Sequence, residues 1–282
     1  MREICFLSMD DLGDYVSDDD LAIEPLARLG INVSTLSWRQ VKVDWSDFEC
    51  VIIRTPWDYQ GAPRQFLEVL RSIEQATRLE NPLSIVEWNL DKGYLPQMED
   101  RGVGIVPTIF ETVYDEAQFA DWQERLCSTE LIVKPLVSAT AEHTYRLPRY
   151  DADLECVFAR RPFLVQPFLE TIVTEGEYSL FYFNGEYSHA INKSPKAADF
   201  RVQEEHGGVI TEVEPGAGLR TAAQNAIDKI GRTLLYARVD LVRDENDRFV
   251  LMELELIEPS LYLRMSNGAP ERFAAAIVSL LS

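Results

Sequence analysis

The sequence predicts a mixed α/β and α+β protein: an open α/β lobe followed by α+β lobes built on antiparallel strands. Three observations carry this expectation. Apolar strand-like runs alternate with helical stretches over roughly the first eighty residues. Asn184-Gly185 separates two strand-like runs, Tyr178 to Phe183 and Tyr187 to Asn192, which is a strong hairpin signal. A second hairpin is expected near the C-terminus, where Arg238-Val239-Asp240-Leu241-Val242 and Phe249-Val250-Leu251-Met252-Glu253-Leu254-Glu255 flank the polar stretch from Asp244 to Asp247.

In chain order, Ile4 to Leu7 reads as a buried strand and Asp18 to Gly30 as a helix with acidic residues in its first turn and a terminal glycine. Pro25 suits an early turn better than a helix middle, so that helix boundary is open. Ile31 to Leu36 and Cys50 to Ile53 are strands, and Pro63 to Ala76 is a helix that starts on proline. Asn89 is expected to cap a helix ending near Arg101-Gly102. Ile105 to Thr108 and Leu131 to Pro135 are expected strands around a helical stretch from Tyr114 to Leu126. The small residues Ser138, Ala139, Thr140 and Ala141 suit a loop that covers phosphates, although without repeated glycines. Phe163 to Leu169 is an expected strand, Thr221 to Leu235 an expected helix, and Pro270 to Leu281 a closing helix.

The C-terminal hairpin carries the most chemistry. Side chains alternate faces along a strand, so Glu253 and Glu255 point the same way, and antiparallel pairing lets Asp240 join them. Three ionised carboxylates on one face repel each other unless a cation lies among them, which points to a divalent metal. The plainer alternative is a solvated strand face; Asp240 in an apolar run argues against it, because buried carboxylates need partners. Lys134, inside Ile132-Val133-Lys134-Pro135, is likewise either a buried functional cation or a lysine snorkelling from a strand end. At the tip of the third strand, Arg54, Trp57 and Asp58 either hold a zwitterionic ligand or form a local ion pair beside a packed ring.

Composition narrows the classes. The chain has 282 residues, 46% of them hydrophobic, enough for two or three lobes with their own cores. Its net charge of −20 repels phosphate backbones, which excludes nucleic acid as an expected partner while leaving room for a nucleotide carried with its metal. No long apolar run and no secretory leader are evident, so neither a membrane nor export is expected, and the location is expected to be cytoplasmic. Cys5, Cys50, Cys127 and Cys156 form no C-x-x-C pair and read as free thiols in a reducing compartment. His143, His189 and His206 lack ligand spacing.

The order of these features resembles the ATP-grasp superfamily over roughly residues 86–282. It is similar to bacterial glutathione synthetase in the nucleotide-binding part, and closer to D-cycloserine synthetase-like ligases. The resemblance implies an N-terminal pre-ATP-grasp substrate lobe at 1–85, a small ATP-grasp lobe at 86–165 and a C-terminal lobe with the metal site at 166–282, the last two clamping ATP. It implies that Lys92 and Lys134 meet the phosphates, that the Gln166-Pro167-Phe168-Leu169 hinge (Gln166, Phe168 and Leu169 above all) borders the adenine, and that Glu177 holds the ribose. Lys193 and Arg201 match basic positions near the transferred phosphoryl group, with the glycine pair Gly207-Gly208 after them. Asp240, Glu253 and Glu255 match ligands for Mg²⁺ or Mn²⁺; Glu255 departs from the family, which commonly has Asn there. Arg54, Trp57, Asp58 and Arg264 are the expected substrate contacts. Taken by itself, Arg201 also reads as a surface ion pair with Glu204 or Glu205.

Phosphoryl transfer needs positioning and charge neutralisation more than covalent help, and lysines, an arginine and a metal site supply both. The function expected is an ATP-dependent, ADP-forming ligase that activates a carboxylate of a small amino-acid-like substrate and joins it to an amine. Two alternatives share the motifs: an intramolecular, ring-forming ligase, and a non-catalytic nucleotide-binding protein. Small-molecule substrates are the expected partners, and an apolar surface on the first lobe would suit a homodimer.

Overall fold

The computed structural model describes residues 1–138, 142–197 and 199–282. The loop expectation at Ala139, Thr140 and Ala141 therefore lies outside the described residues. The first lobe runs β1 (Arg2–Ser8), α1 (Asp20–Arg28), β2 (Ile31–Ser37), β3 (Cys50–Thr55), α2 (Pro63–Ala76) and β4 (Arg78–Glu80). Its strands form a parallel sheet in the order β2-β1-β3-β4. Near-continuous apolar runs such as Ile4 to Leu7 and Val51 to Ile53 follow from burial on both faces: Ile4, Phe6 and Ile52 pack towards α1, while Cys5, Leu7, Val51 and Ile53 pack towards α2. Pro25 lies inside α1, against the expectation of an early-turn position.

Two short helices follow, α3 (Leu83–Asn89) and α4 (Tyr94–Asp100). Asn89 ends α3 and does not cap the next helix, which corrects the sequence expectation. Its amide is committed elsewhere: Nδ2 donates to the Leu254 carbonyl at 2.8 Å, and Oδ1 accepts from the Leu256 amide at 3.0 Å. Residues 105–108 are not a strand either. Ile105 makes an isolated parallel bridge to Leu251, and Pro107 cannot donate to a ladder.

The second sheet comprises β5 (Ile109–Glu111), β6 (Leu131–Pro135), β7 (Tyr145–Leu147) and β8 (Phe163–Pro167), with α5 (Glu116–Arg125) and α6 (Glu155–Phe158) between its strands. All its pairings are antiparallel, in the order β5-β8-β6-β7. Leu131, Val133, Phe163 and Val165 turn to one side, into an aromatic core with Trp122 and Phe158. Alternation then places Ile132, Lys134 and Gln166 on the other side.

The third and largest sheet follows a turn of helix, α7 (Thr171–Thr174), and comprises β9 (Glu177–Phe183), β10 (Glu186–Ser194), β11 (Val209–Glu212), β12 (Tyr236–Arg243) and β13 (Phe249–Glu255). Helix α8 (Ala217–Ile230) precedes β12, and α9 (Ala269–Leu281) closes the chain. The sheet is antiparallel, in the order β11-β10-β9-β12-β13. Asn184 and Gly185 both have positive φ, 49° and 78°, as the two-residue turn between β9 and β10 requires. One face of the sheet, with Leu180, Ala190, Val239 and Leu254, buries α8 together with Leu95 and Met98 of α4. The other face is divided. Phe181, Phe183, Ile191 and Tyr236 pack on Phe273 of α9 and on the first lobe, whereas Glu177, Ser179, Lys193, Arg238, Asp240, Glu253 and Glu255 are polar.

Candidate active site

That polar half is one surface in register. Lys193 lies opposite Glu177, Ser179 opposite Asp240, Asp240 opposite Glu253, and Arg238 opposite Glu255, so the charges run across four neighbouring strands. The Lys134 and Gln166 face of the second sheet lies across a cavity from it, and Tyr15, Trp57 and Tyr59 of the first lobe close one end. The same cavity is bordered by Lys92, by Phe200 to Gln203, and by residues between Ile257 and Tyr262.

The charges are buried and compensated. Lys92 Nζ sits 3.1 Å from Glu253 Oε1 and donates to the Ser138 carbonyl at 3.1 Å. Lys193 Nζ pairs with Glu177 and lies 3.4 Å from Asp240 Oδ2. Arg238 binds Asp240 through Nε at 3.0 Å and Nη2 at 2.9 Å, and its Nη2 also pairs with Glu255. Ser179 Oγ donates to Asp240 Oδ1 at 2.5 Å. Burial works against the Asp240 charge, but Arg238 and Lys193 outweigh it and hold the acid low. Burial, only partly offset by Arg238, raises Glu255, and burial beside Glu255 pushes Glu258 up to about 8. Lys134 has no carboxylate in contact among the described residues; its Nζ rests 4.0 Å from Met252 Sδ, and burial pulls it down to about 8. An arriving anion would therefore find a desolvated lysine without an ion-pair partner.

Of the residues expected to serve the site, Lys92, Lys134, Gln166, Glu177, Lys193, Arg201, Glu253, Glu255 and Trp57 border the cavity. Asp240, 2% exposed, lies beneath its floor. Phe168 and Leu169 do not border it: Phe168 is buried under the Arg146 guanidinium, 3.6 Å from its ring centre, and Leu169 packs with Val106 and Val242. Arg201 is gripped by Asp199, with Nε to Oδ1 at 3.1 Å and Nη2 to Oδ2 at 2.9 Å, and is not paired with Glu204 or Glu205. Three expected substrate contacts are engaged elsewhere. Arg54 donates to Asp19 at 3.1 Å and to the Pro259 carbonyl at 3.0 Å; Asp58 accepts Trp38 Nε1 at 2.7 Å and pairs with Arg39; Arg264 joins Asp18 at 2.9 Å to Glu204 at 2.6 Å.

Among the described residues, no three acids are arranged to hold a metal ion as they stand. The donor set nevertheless fits a hard divalent cation. Glu253 and Glu255 are adjacent oxygen donors over Asp240, and their proton affinities are pulled apart by crowding and by cations. Each carboxylate also keeps lone pairs beyond those given to Lys92 and Arg238.

Comparison with known proteins places the chain. The family model described as the N-terminal domain of D-cycloserine synthetase DcsG matches residues 4–81. Cycloserine biosynthesis protein DcsG of Streptomyces lavendulae is 31% identical over 278 residues, covering 92% of each chain. The chain belongs to the DcsG family of ATP-grasp ligases. The crystal structure of D-cycloserine synthetase DcsG matches 99% of this chain and 100% of its own, with TM-score 0.85 and 27% identity. D-alanine–D-alanine ligase from Bacillus anthracis, in complex with ATP, shares the fold at TM-score 0.67 and 16% identity, over 100% and 97% of the two chains. A glutathione synthetase from Prochlorococcus marinus (strain MIT 9313) is 30% identical over 177 residues, 58% of this chain and 53% of its own.

Within this DcsG-family fold, sequence reasoning left out two features. Arg238 shares a strand face with Asp240 two residues on, so the alternation that grouped the acids also includes their main counter-charge. The second is the segment after β13. Its carbonyls are taken in succession: Leu256 by Asn81 Nδ2 (2.7 Å), Ile257 by the Tyr236 hydroxyl (2.8 Å), Glu258 by Trp57 Nε1 (2.8 Å), Pro259 by Arg54, Ser260 by Arg238 Nη1 (3.4 Å) and Leu261 by His189 Nε2 (3.0 Å). Because the donors come from scattered parts of the chain, no local pattern announces them.

Proposed function

We propose that this ligase binds ATP with Mg²⁺ between its second and third sheets. In this reading it phosphorylates a carboxylate of a small amino-acid-like substrate at the expense of ATP and lets an amine displace the phosphate, releasing ADP. The observation that carries the reading is the in-register charged face, Lys193, Glu177, Arg238, Asp240, Glu253 and Glu255, opposed across the cavity by Lys134.

Each residue then has a task. Lys134 and Lys92 neutralise the phosphates from the second-sheet side, and Lys134 gains most because it has no resident counter-ion. Gln166 borders the base, and Glu177 accepts the ribose hydroxyls once Lys193 turns towards the phosphates. Arg201, and Arg238 at the floor, stabilise charge on the transferring group and on the carboxylate oxygen it joins. Glu253 and Glu255, with Asp240 beneath, would hold the metal, which when bound supplies charge neutralisation along the phosphates. Trp57 faces the substrate. The second sheet with its helices would close on the body formed by the third sheet and the first lobe, which share the core around Phe273, and so shield the reactive acyl group from water.

A ring-forming version of the same step is the second reading. It is favoured by likeness to a D-cycloserine synthetase along essentially the whole length of both chains. A coupled assay for ADP release over amino acids, dipeptides and ureido compounds, followed by product mass, tests both. Product with the mass of one substrate less water marks ring closure, and the mass of two partners less water marks ligation. Absence of substrate-dependent ADP release across the panel removes the ligase reading of this site.

A further inference from the structure

The acids around the cavity differ in one respect. Glu177 and Asp240 share Lys193, Arg238 binds Asp240 and Glu255, and Lys92 binds Glu253. Glu258 also borders the cavity, yet among the described residues no lysine, arginine or histidine lies within ion-pair distance of it. Glu205 shares this state, but it is exposed at the rim, where water solvates it. Glu258 is partly buried between Trp57 and Tyr59, and the Tyr59 phenol hydrogen-bonds to its carboxylate. Its backbone is fixed by Trp57 on its own carbonyl and by Tyr236 and Arg54 on the carbonyls to either side. The main chain is thus held at the edge of the cavity, and the Tyr59 bond keeps the carboxyl group on that side. An acid so placed keeps its proton in the free protein, and a cation brought beside it would favour the ionised form.

The surroundings indicate what kind of cation. Tyr15 meets Trp57 edge-on, with ring centres 5.5 Å apart, and both residues border the cavity together with Tyr59. An aromatic-lined end of a cavity with one carboxyl group suits an organic ammonium better than a hydrated metal ion. We propose that Glu258, framed by Trp57 and Tyr59, is the specificity-determining seat for a cationic amino group of the substrate. Glu258 would then make the site select the free amine of the amino-acid-like substrate over a hydroxy or N-acyl counterpart. This rests on the ligase reading above, and it places the substrate amine at the first-lobe end of the cavity, away from Lys134.

The test uses the full chain with Mg²⁺ and a non-hydrolysable ATP analogue. Calorimetry compares a panel of amino acids with their hydroxy counterparts, serine against glycerate and alanine against lactate in both hands, on the wild type, Glu258→Gln and Glu258→Asp. The expected result is an amine that binds the wild type at least about tenfold more tightly than its hydroxy counterpart, a preference lost in Glu258→Gln and partly restored in Glu258→Asp. Affinity for the ATP analogue, within about twofold across the three proteins, serves as the check on folding. No amine preference in the wild type, or the same preference in Glu258→Gln, overturns the assignment. So does a Glu258→Gln protein whose main defect is a higher Mg²⁺ requirement, which would make Glu258 a metal ligand. ADP release is read in parallel with ATP: amine-selective binding without ADP release overturns the ligase reading while upholding Glu258.

Discussion

Asn81 shows how much one side chain carries in this molecule. It is fully buried; its Nδ2 serves the carbonyls of Tyr236 and Leu256 at 2.9 and 2.7 Å, and its Oδ1 accepts from the Leu235 amide at 3.1 Å. Removing it leaves three buried backbone groups without partners, each costing about 1–3 kcal/mol. Asn81→Ala should therefore destabilise the chain by roughly 3 kcal/mol or more, read as a lower midpoint in urea; a change below about 1 kcal/mol would mean that water replaces the amide. His189 sets an acid limit. It stacks on Phe181 at 4.3 Å, donates from Nε2 to the Leu261 carbonyl and so accepts from Ser188 Oγ at Nδ1, and burial lowers it to about 4. The unfolded chain binds this proton near pH 6.5 and the folded chain only near 4. Stability is thus whole above pH 6.5 and falls by about 3 kcal/mol as the pH drops through that window. His189→Gln should flatten the melting temperature between pH 6.5 and 4; an unchanged slope would assign the acid sensitivity to other groups.

At the scale of the element, Glu204 on the segment between β10 and β11 links the charged half of the third sheet to the first lobe. Arg201 lies on that segment, and Arg264 holds Glu204 while also gripping Asp18. A side chain at Gly208 would drive its Cβ into the Val202 carbonyl oxygen, a backbone atom that cannot yield cheaply. Gly208→Ala should therefore shift the loop and lower kcat by about tenfold or more, with the dissociation constant for ATP changed less than about threefold. Equal loss of both would tie the loop to nucleotide binding and not to phosphoryl transfer. Elements of this kind also mark the limit of sequence reading. Asn184-Gly185, the β12–β13 hairpin and the Pro63 helix start were legible because local backbone preference and tertiary need coincide there. Asn89 was misread as a cap because its partners are Leu254 and Leu256, far along the chain. The strand tip places Arg54 and Asp58 at the expected substrate end, but their partners Pro259 and Trp38, like the Asp18 partner of Arg264, lie far along the chain, where no local pattern announces them. The charged face was readable by alternation, Arg238 included, while the place of Glu258 beyond the last strand depends on donors from distant parts of the chain, Trp57, Tyr236 and Arg54.

For the molecule as a whole, the decisive arrangement is that two separately packed sheets face one another across a charged gap. The core around Trp122 belongs to the second sheet, the core around Leu180 lies between the third sheet and α8 with α4, and the core around Phe273 joins the third sheet to the first lobe. A bound nucleotide would bridge the two bodies, so it should stabilise the native chain by mass action. At a hundredfold excess over its dissociation constant, Mg-ATP is worth about 2.7 kcal/mol, which for a chain of this size is a rise in melting temperature of roughly 5 °C. Lys134→Ala should remove most of that rise at the same ATP concentration while leaving the unliganded melting temperature within about 2 °C. The lysine is buried without an ion-pair partner among the described residues, and its loss also relieves a desolvated charge. Raising the pH through about 8 should reproduce the effect in the wild type: the free protein releases the Lys134 proton there, and the nucleotide must restore it in order to bind. A thermal shift by Mg-ATP that is the same in Lys134→Ala and insensitive to pH between 7 and 9 would place the triphosphate elsewhere on the molecule.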